Sequence, residues 1–207
     1  PIWWYTCESF LYSMLNRALR TMEIDLLIQM GFFLRDLHNQ IARLHAEQFI
    51  QKGITKSFVV YRGQGVTKAY FEQLKQSQDQ LISFNSFLST TEDTKVSFRF
   101  ARTAVEQSNL IGIHFVMTID PNISTTPFAH VRNISFYKDD HDESEILFSM
   151  HSVFRIGQIK RLTNENNIWQ VDLTLTSNDD QQLKALLKVY ERKHHRVTKD
   201  GIDLVNY

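Results

Sequence analysis

Apolar residues recur over the first fifty positions at intervals of three and four. Leu11, Leu15, Ala18, Leu19 and Met22 fall on one helical face, and Leu26, Met30, Phe33, Leu34, Leu37, Ile41 and Leu44 form a second stripe. Side chains at this spacing stack on one side of a helix, so both stripes read as core-facing. A helical segment over residues 1–52 is expected. From Phe58 the period shortens. "SFVVYRGQG" reads as a strand of β-branched and aromatic residues stopped by two glycines, with Arg62 delivered at its end.

"VTKAYFEQLKQ" predicts a short helix, "QLISFNSFLST" one or two strands, and "EDTKVSFRFARTAVEQS" a helix with acids in its first turn. In "NLIGIHFVMTID", Ile111, Ile113, Phe115, Met117 and Ile119 alternate as in a half-buried strand. "PFAHVRNISFY", "ESEILFSMH", "SVFRIGQIKRL" and "NIWQVDLTLTS" predict four more strands. Between Ser177 and Tyr190 the helical period returns, with Asn178 as a cap and Leu183, Leu186, Leu187 and Tyr190 on one side. Consecutive strands with few crossover helices predict an α+β fold: a mostly antiparallel two-sheet β-sandwich with helices packed outside. We expect one domain over 1–207, with a helical segment 1–52, a sheet core 58–176, and a C-terminal helix and tail 178–207.

Composition narrows the partners. A hydrophobic fraction of 43% is that of a chain with a real core. Lys plus Arg and Asp plus Glu both number 23, so no general attraction to nucleic acid or membrane follows. The tail cations Lys184, Lys188, Arg192, Lys193, Arg196 and Lys199 read as a solvated helical face, and nucleic acid is not an expected partner. No window of about 18 apolar residues is present, so no membrane span is predicted. Cys7 is the only cysteine, which excludes an intramolecular disulfide and a Cys-based zinc site. A reducing, cytoplasmic location is expected, while the sequons at Asn122 and Asn133 leave secretion open. The eight histidines, His194 and His195 among them, show no metal-ligand spacing, so no metal is expected. The chain starts at Pro1 rather than Met, and neighbouring segments are expected beyond it.

The usual phosphate-loop, zinc-protease and hydrolase-elbow motifs are absent. What stands out is "DDHDESEILF", residues 139–148, with five carboxylates in seven positions before an apolar run. In a strand over 143–149, Glu143, Glu145 and Leu147 share one face. Two carboxylates on one face repel each other unless a cation or hydrogen-bond donor is near. Exposed strand-end acids would look the same, so the pair alone leaves both readings open. Arg62 adds a planar fork suited to phosphate or carboxylate. "SFLSTT" adds the hydroxyls of Ser86, Ser89, Thr90 and Thr91, of which Thr91, or Asp93 just after, could cap the next helix.

Arg62 on its strand, the segment Phe87-Leu88-Ser89-Thr90-Thr91, and Glu143-Ser144-Glu145, in that order, resemble the Arg-Ser-Glu class of mono-ADP-ribosyltransferases. This is the class of cholera-like and clostridial binary toxins and of arginine-specific vertebrate ecto-enzymes. "YTCESFLYSMLNRALR" is similar to the family's N-terminal helices, and the resemblance covers roughly residues 4–176. It implies a cleft holding NAD as co-substrate, lined by Arg62, Gly63, Ser89, Thr91 and Glu145. Arg62 would take the phosphates or adjoining ribose, Ser89 would organise the pocket, and Thr91 would support the glutamate. Glu145 would bond the 2′-hydroxyl of the nicotinamide ribose and stabilise the positive charge that develops there. Glu143 would orient an acceptor guanidinium and remove its proton. Phe136 and Tyr137 resemble the family's substrate-recognition turn, and Asp139, Asp140 and Asp142 would suit a basic, arginine-containing protein.

The function implied is transfer of ADP-ribose from NAD to arginine with release of nicotinamide, with Glu145, Glu143, Arg62 and Ser89 as the catalytic set. Two alternatives stand beside it: an NAD glycohydrolase with water as acceptor, which would use Arg62, Ser89 and Glu145 and depend less on Glu143, and a catalytically dead NAD-binding or protein-binding module.

Overall fold

The two helical stripes become four helices in the computed structural model, which describes residues 1–7, 9–108, 110–123, 126–136, 144–162, 167–177, 179–186 and 188. They are α1 (Ile2–Thr6), α2 (Phe10–Thr21), α3 (Ile24–Gln29) and α4 (Gly31–His45), the last continued by a π-helical turn, Ala46–Ile50. The second stripe is thus divided at Met30, where ψ is 6°. Met22 leaves the first stripe. It closes α2 in the left-handed region, φ 56°, and its side chain is exposed.

The strands are β1 (Phe58–Val66), β2 (Leu81–Phe84), β3 (Leu88–Thr91), β4 (Ile111–Ile119), β5 (Phe128–His130), β6 (Glu145–Phe148), β7 (Ser152–Arg161) and β8 (Ile168–Leu175). α5 (Lys68–Gln76) follows β1, and α6 (Thr94–Ser108) follows β3. Two separate sheets do not form. The eight strands make one continuous sheet in the order β2-β7-β8-β4-β1-β3-β6-β5. It is mixed, because β4 and β8 run parallel while the other neighbours are antiparallel. The halves stay joined because β1, which pairs with β4 along nine residues, also meets β3 at the single pair Tyr61↔Thr91.

Two local expectations change for steric reasons. The glycines of "RGQG" do not stop β1, which runs on to Val66 and leaves Arg62 inside the strand opposite Phe115. A Cβ on Gly63 would come 1.7 Å from the Ser97 carbonyl oxygen, and one on Gly65 2.6 Å from Ala104 Cβ. The glycines let α6 lie directly on β1. β4 is therefore buried on both faces over its middle, with His114 covered by α6 on the side opposite Ile113 and Phe115. The last helix, residues 181–186, starts at Asp180, whose Oδ1 accepts from the backbone N–H groups of Gln182 and Leu183. Asn178, the expected cap, lies outside the described residues.

Apolar clusters fill both sides of the sheet. One joins β1, β4, β7 and β8 to Phe71 and Leu74 of α5, and the other joins α1, α2 and α4 to Phe87, Ala129, Val131 and Leu147. β6 serves both, since Ile146 and Phe148 enter the first and Leu147 the second. Glu145 stands at the start of that doubly packed strand. Among the described residues no helix is long and apolar enough to cross a membrane.

Candidate active site

A cavity of about 450 Å³ opens where β1, β3 and β6 meet α1, α2 and α6. Arg62, Gly63, Ser89, Thr91 and Glu145, widely separated in sequence, all line it. The β3–β6 register places Thr91 opposite Glu145 and Ser89 opposite Leu147. β6 is held on its other side as well, for Val131 N–H donates to the Glu145 carbonyl at 3.0 Å. The glutamate backbone is thereby fixed from two neighbours.

Ser89 connects the two charged groups. Its hydroxyl donates to Glu145 Oε1 at 2.6 Å, and its backbone carbonyl accepts from Arg62 Nη1 at 2.7 Å. Arg62 Nε donates in turn to Gln64 Oε1 at 3.2 Å. Gln64 shares a face of β1 with Arg62, so this bond follows from strand alternation. Both of these acceptors are neutral, which holds the fork in place without cancelling its charge. The Thr91 hydroxyl accepts from the backbone N–H of Asp93 at 3.1 Å, and Asp93 Oδ1 accepts from Lys95 N–H at 2.7 Å where α6 begins. Thr91 thus lies beside Glu145 while its oxygen shapes the turn into α6.

The helical wall was hidden by the apolar stripes. Tyr5 and Thr6 of α1, Cys7 at its C-terminal cap and Tyr12 of α2 line the cavity. Tyr5 is 1% exposed, and its hydroxyl lies 3.0 Å from Asn16 Oδ1 and 3.3 Å from the Phe87 carbonyl. Burial drives its acidity far below that of an ordinary phenol, with the Tyr12 hydroxyl nearby adding to the effect. It is a neutral tie between helices and sheet. The available signal was Asn16, a polar residue inside the stripe formed by Leu15, Ala18 and Leu19. α6 contributes Val96, Ser97, Arg99 and Phe100. Arg99, in sequence only one residue of a predicted helix, supplies a second guanidinium to the cavity.

Phe136 begins the expected recognition turn. It is 42% exposed, packs edge-on against Trp3 at 5.3 Å, and its N–H donates to Thr6 Oγ1 at 2.8 Å. Phe136 is therefore tied to the helix that forms one cavity wall. Tyr137, Asp139, Asp140, Asp142 and Glu143 lie outside the described residues. So do Arg192, Lys193, His194, His195, Arg196 and Lys199 of the tail. Lys184 pairs locally with Asp179 at 2.7 Å.

No protein-family model matches this chain, and no curated protein matches it. Solved structures do resemble it in fold. Plx2a, an ADP-ribosyltransferase toxin from Paenibacillus larvae, superposes with a TM-score of 0.60 at 17% identity, covering 85% of this chain and 84% of that one. Exoenzyme S from Pseudomonas aeruginosa, solved with human 14-3-3 protein beta and carba-NAD, gives 0.55 at 17% identity over 88% and 78%. C3stau2 from S. aureus, solved with NAD, gives 0.55 at 15% identity over 86% and 85%. The chain has the fold of these ADP-ribosyltransferases.

Proposed function

We propose that this protein is a mono-ADP-ribosyltransferase that uses NAD as donor and arginine side chains as acceptors. The observation that carries the reading is the Arg62–Ser89–Glu145 chain of hydrogen bonds along one cavity wall. The fold shared with Plx2a, exoenzyme S and C3stau2 supports it.

The residues present fit a dinucleotide. A volume of about 450 Å³ lies in the range of roughly 300–1,000 Å³ usual for small-molecule sites. Arg62 and Arg99 offer two cations for a diphosphate, and Tyr12, Tyr61 and Phe100 offer ring surfaces. When bound, NAD supplies a ribose–nicotinamide bond whose cleavage releases neutral nicotinamide and leaves positive charge on the ribose. Glu145 supplies a fixed carboxylate toward that charge, oriented by the Ser89 hydroxyl before any ligand enters. Such prearrangement spares reorganisation during the reaction.

The acceptor assignment rests on the sequence. Glu143 stands two positions before Glu145 and would accept a proton from an incoming guanidinium. Phe136, tethered to α1, begins the turn that would present the acceptor, and Tyr137 and the following acids would suit a basic protein surface. The chain would act as a single catalytic domain over 1–207.

Incubation with NAD and agmatine, a small guanidine, tests the reading by mass spectrometry. An ADP-ribosyl-agmatine adduct is expected. Free ADP-ribose without adduct would indicate the glycohydrolase, and NAD left intact by folded protein would contradict both enzymatic readings.

A further inference from the structure

Behind the cavity wall, a buried imidazole joins two of its lining residues. His114 stands opposite Gly63 in the β1–β4 ladder and is 3% exposed. Its ring stacks on Tyr61, with centroids 5.5 Å apart and planes 10° apart, and lies 4.4 Å from Phe98 of α6. Its Nδ1 is 3.0 Å from Ser97 Oγ, which also lies 3.0 Å from the Thr94 carbonyl. Tyr61 and Ser97 both form part of the cavity wall.

Ser97 is where α6 rests on the sheet. Its carbonyl oxygen occupies the space a Gly63 side chain would need, so no side chain separates the helix from β1 at this point. Its hydroxyl is held by His114. These two constraints fix the N-terminal part of α6, from which Val96, Arg99 and Phe100 face the cavity. A phenyl ring would fill the volume of His114 without burying a polar ring. Unlike the imidazole, however, a phenyl ring cannot hydrogen-bond the Ser97 hydroxyl. Burial pushes its pKa down to about 4, so the ring stays neutral and this bond persists near neutral pH.

We infer that His114 is a positioning residue for the donor nucleotide: by anchoring Ser97 it sets α6, and with it Arg99, against the cavity that Arg62 also lines. The inference rests on the NAD reading proposed above. It predicts an effect on donor binding with little effect on bond cleavage.

NAD titration and steady-state kinetics of nicotinamide release would be measured for wild type, His114→Phe, His114→Asn and Ser97→Ala. His114→Phe is expected to raise Kd and KM for NAD about tenfold, the scale of one lost hydrogen bond, with kcat within about twofold. Asn carries an amide on the same Cβ that can reach Ser97, and is expected to recover most of the loss. Ser97→Ala should match His114→Phe, and the double variant should be no worse than either. Unchanged KM in a folded His114→Phe, or a fall in kcat at constant KM, overturns the inference while leaving the transferase reading intact. If His114→Phe does not fold, Ser97→Ala decides by the same criteria. Wild type that neither binds nor consumes NAD overturns the reading and the inference together.

Discussion

The Ser89 hydroxyl donates to Glu145 Oε1 at 2.6 Å across the β3–β6 ladder, while the Ser89 carbonyl holds Arg62. One residue therefore orients the proposed catalytic carboxylate through its side chain and the proposed phosphate ligand through its backbone. Ser89→Ala separates the two roles, because alanine keeps the carbonyl. A hydrogen bond to a charged group is worth about 1.5–3 kcal/mol, so kcat for nicotinamide release should fall about tenfold to a hundredfold. NAD affinity, measured by titration, should change far less.

Arg62→Lys keeps a positive charge but loses the fork. Lysine cannot reproduce the paired bonds to Ser89 and Gln64. Initial-rate kinetics should show kcat/KM for NAD reduced about a hundredfold. Gln64→Ala, which removes only the bond at Nε, should cost about threefold.

Gly63→Ala tests the close approach of α6. The added Cβ would meet backbone at 1.7 Å, and backbone cannot swing aside as a side-chain tip can. Overpacking of this kind costs about 3 kcal/mol, with α6 displaced from the cavity. The urea midpoint should fall by a corresponding amount, and NAD affinity should fall with it. An unchanged midpoint would contradict the packing described.

Stability should decline on mild acidification. Burial lowers the His114 pKa from its usual 6.5 to about 4. Between these values the unfolded chain binds a proton that the native protein refuses, so stability is complete above about pH 6.5 and is lost as pH falls toward 4. The contribution is about 3 kcal/mol. His45, buried against the Phe128 carbonyl, is shifted in the same direction. The lowered pKa values of Asp179 and Asp180 act in more acidic solution. Urea midpoints from pH 7 to 4.5 should show this slope in wild type and most of it removed in His114→Phe.

The sequence revealed residues whose chemistry is unusual for their local pattern. Arg62 among β-branched residues and Glu145 ahead of an apolar strand stood out at once. The helical period of α2 and α4 is equally legible, because each reports one buried face, and alternation marks β4 as a strand although α6 also covers its second face at His114. Continuity of the sheet is not legible, since it depends on the Tyr61↔Thr91 pair between segments thirty residues apart. Gly63 and Gly65 were read as terminators because sequence cannot show that α6 lies over them. Tyr5, Tyr12, Gln64 and Arg99 carry no sequence signal of a place at the site for a related reason: each sits in an ordinary helix or strand pattern, and only the tertiary fold brings it to the cavity or to Arg62.

The most direct test of the account is nicotinamide release from NAD by wild type and Glu145→Gln under single-turnover conditions, with NAD affinity measured alongside. Glutamine preserves size and can still bond Ser89, but it cannot offset developing positive charge. The expected result is retained affinity with release slowed by about 100-fold to 1,000-fold, the scale of losing one prearranged electrostatic contact. Equal rates from two folded proteins that both bind NAD would contradict the central claim that Glu145 performs the chemistry of this cavity.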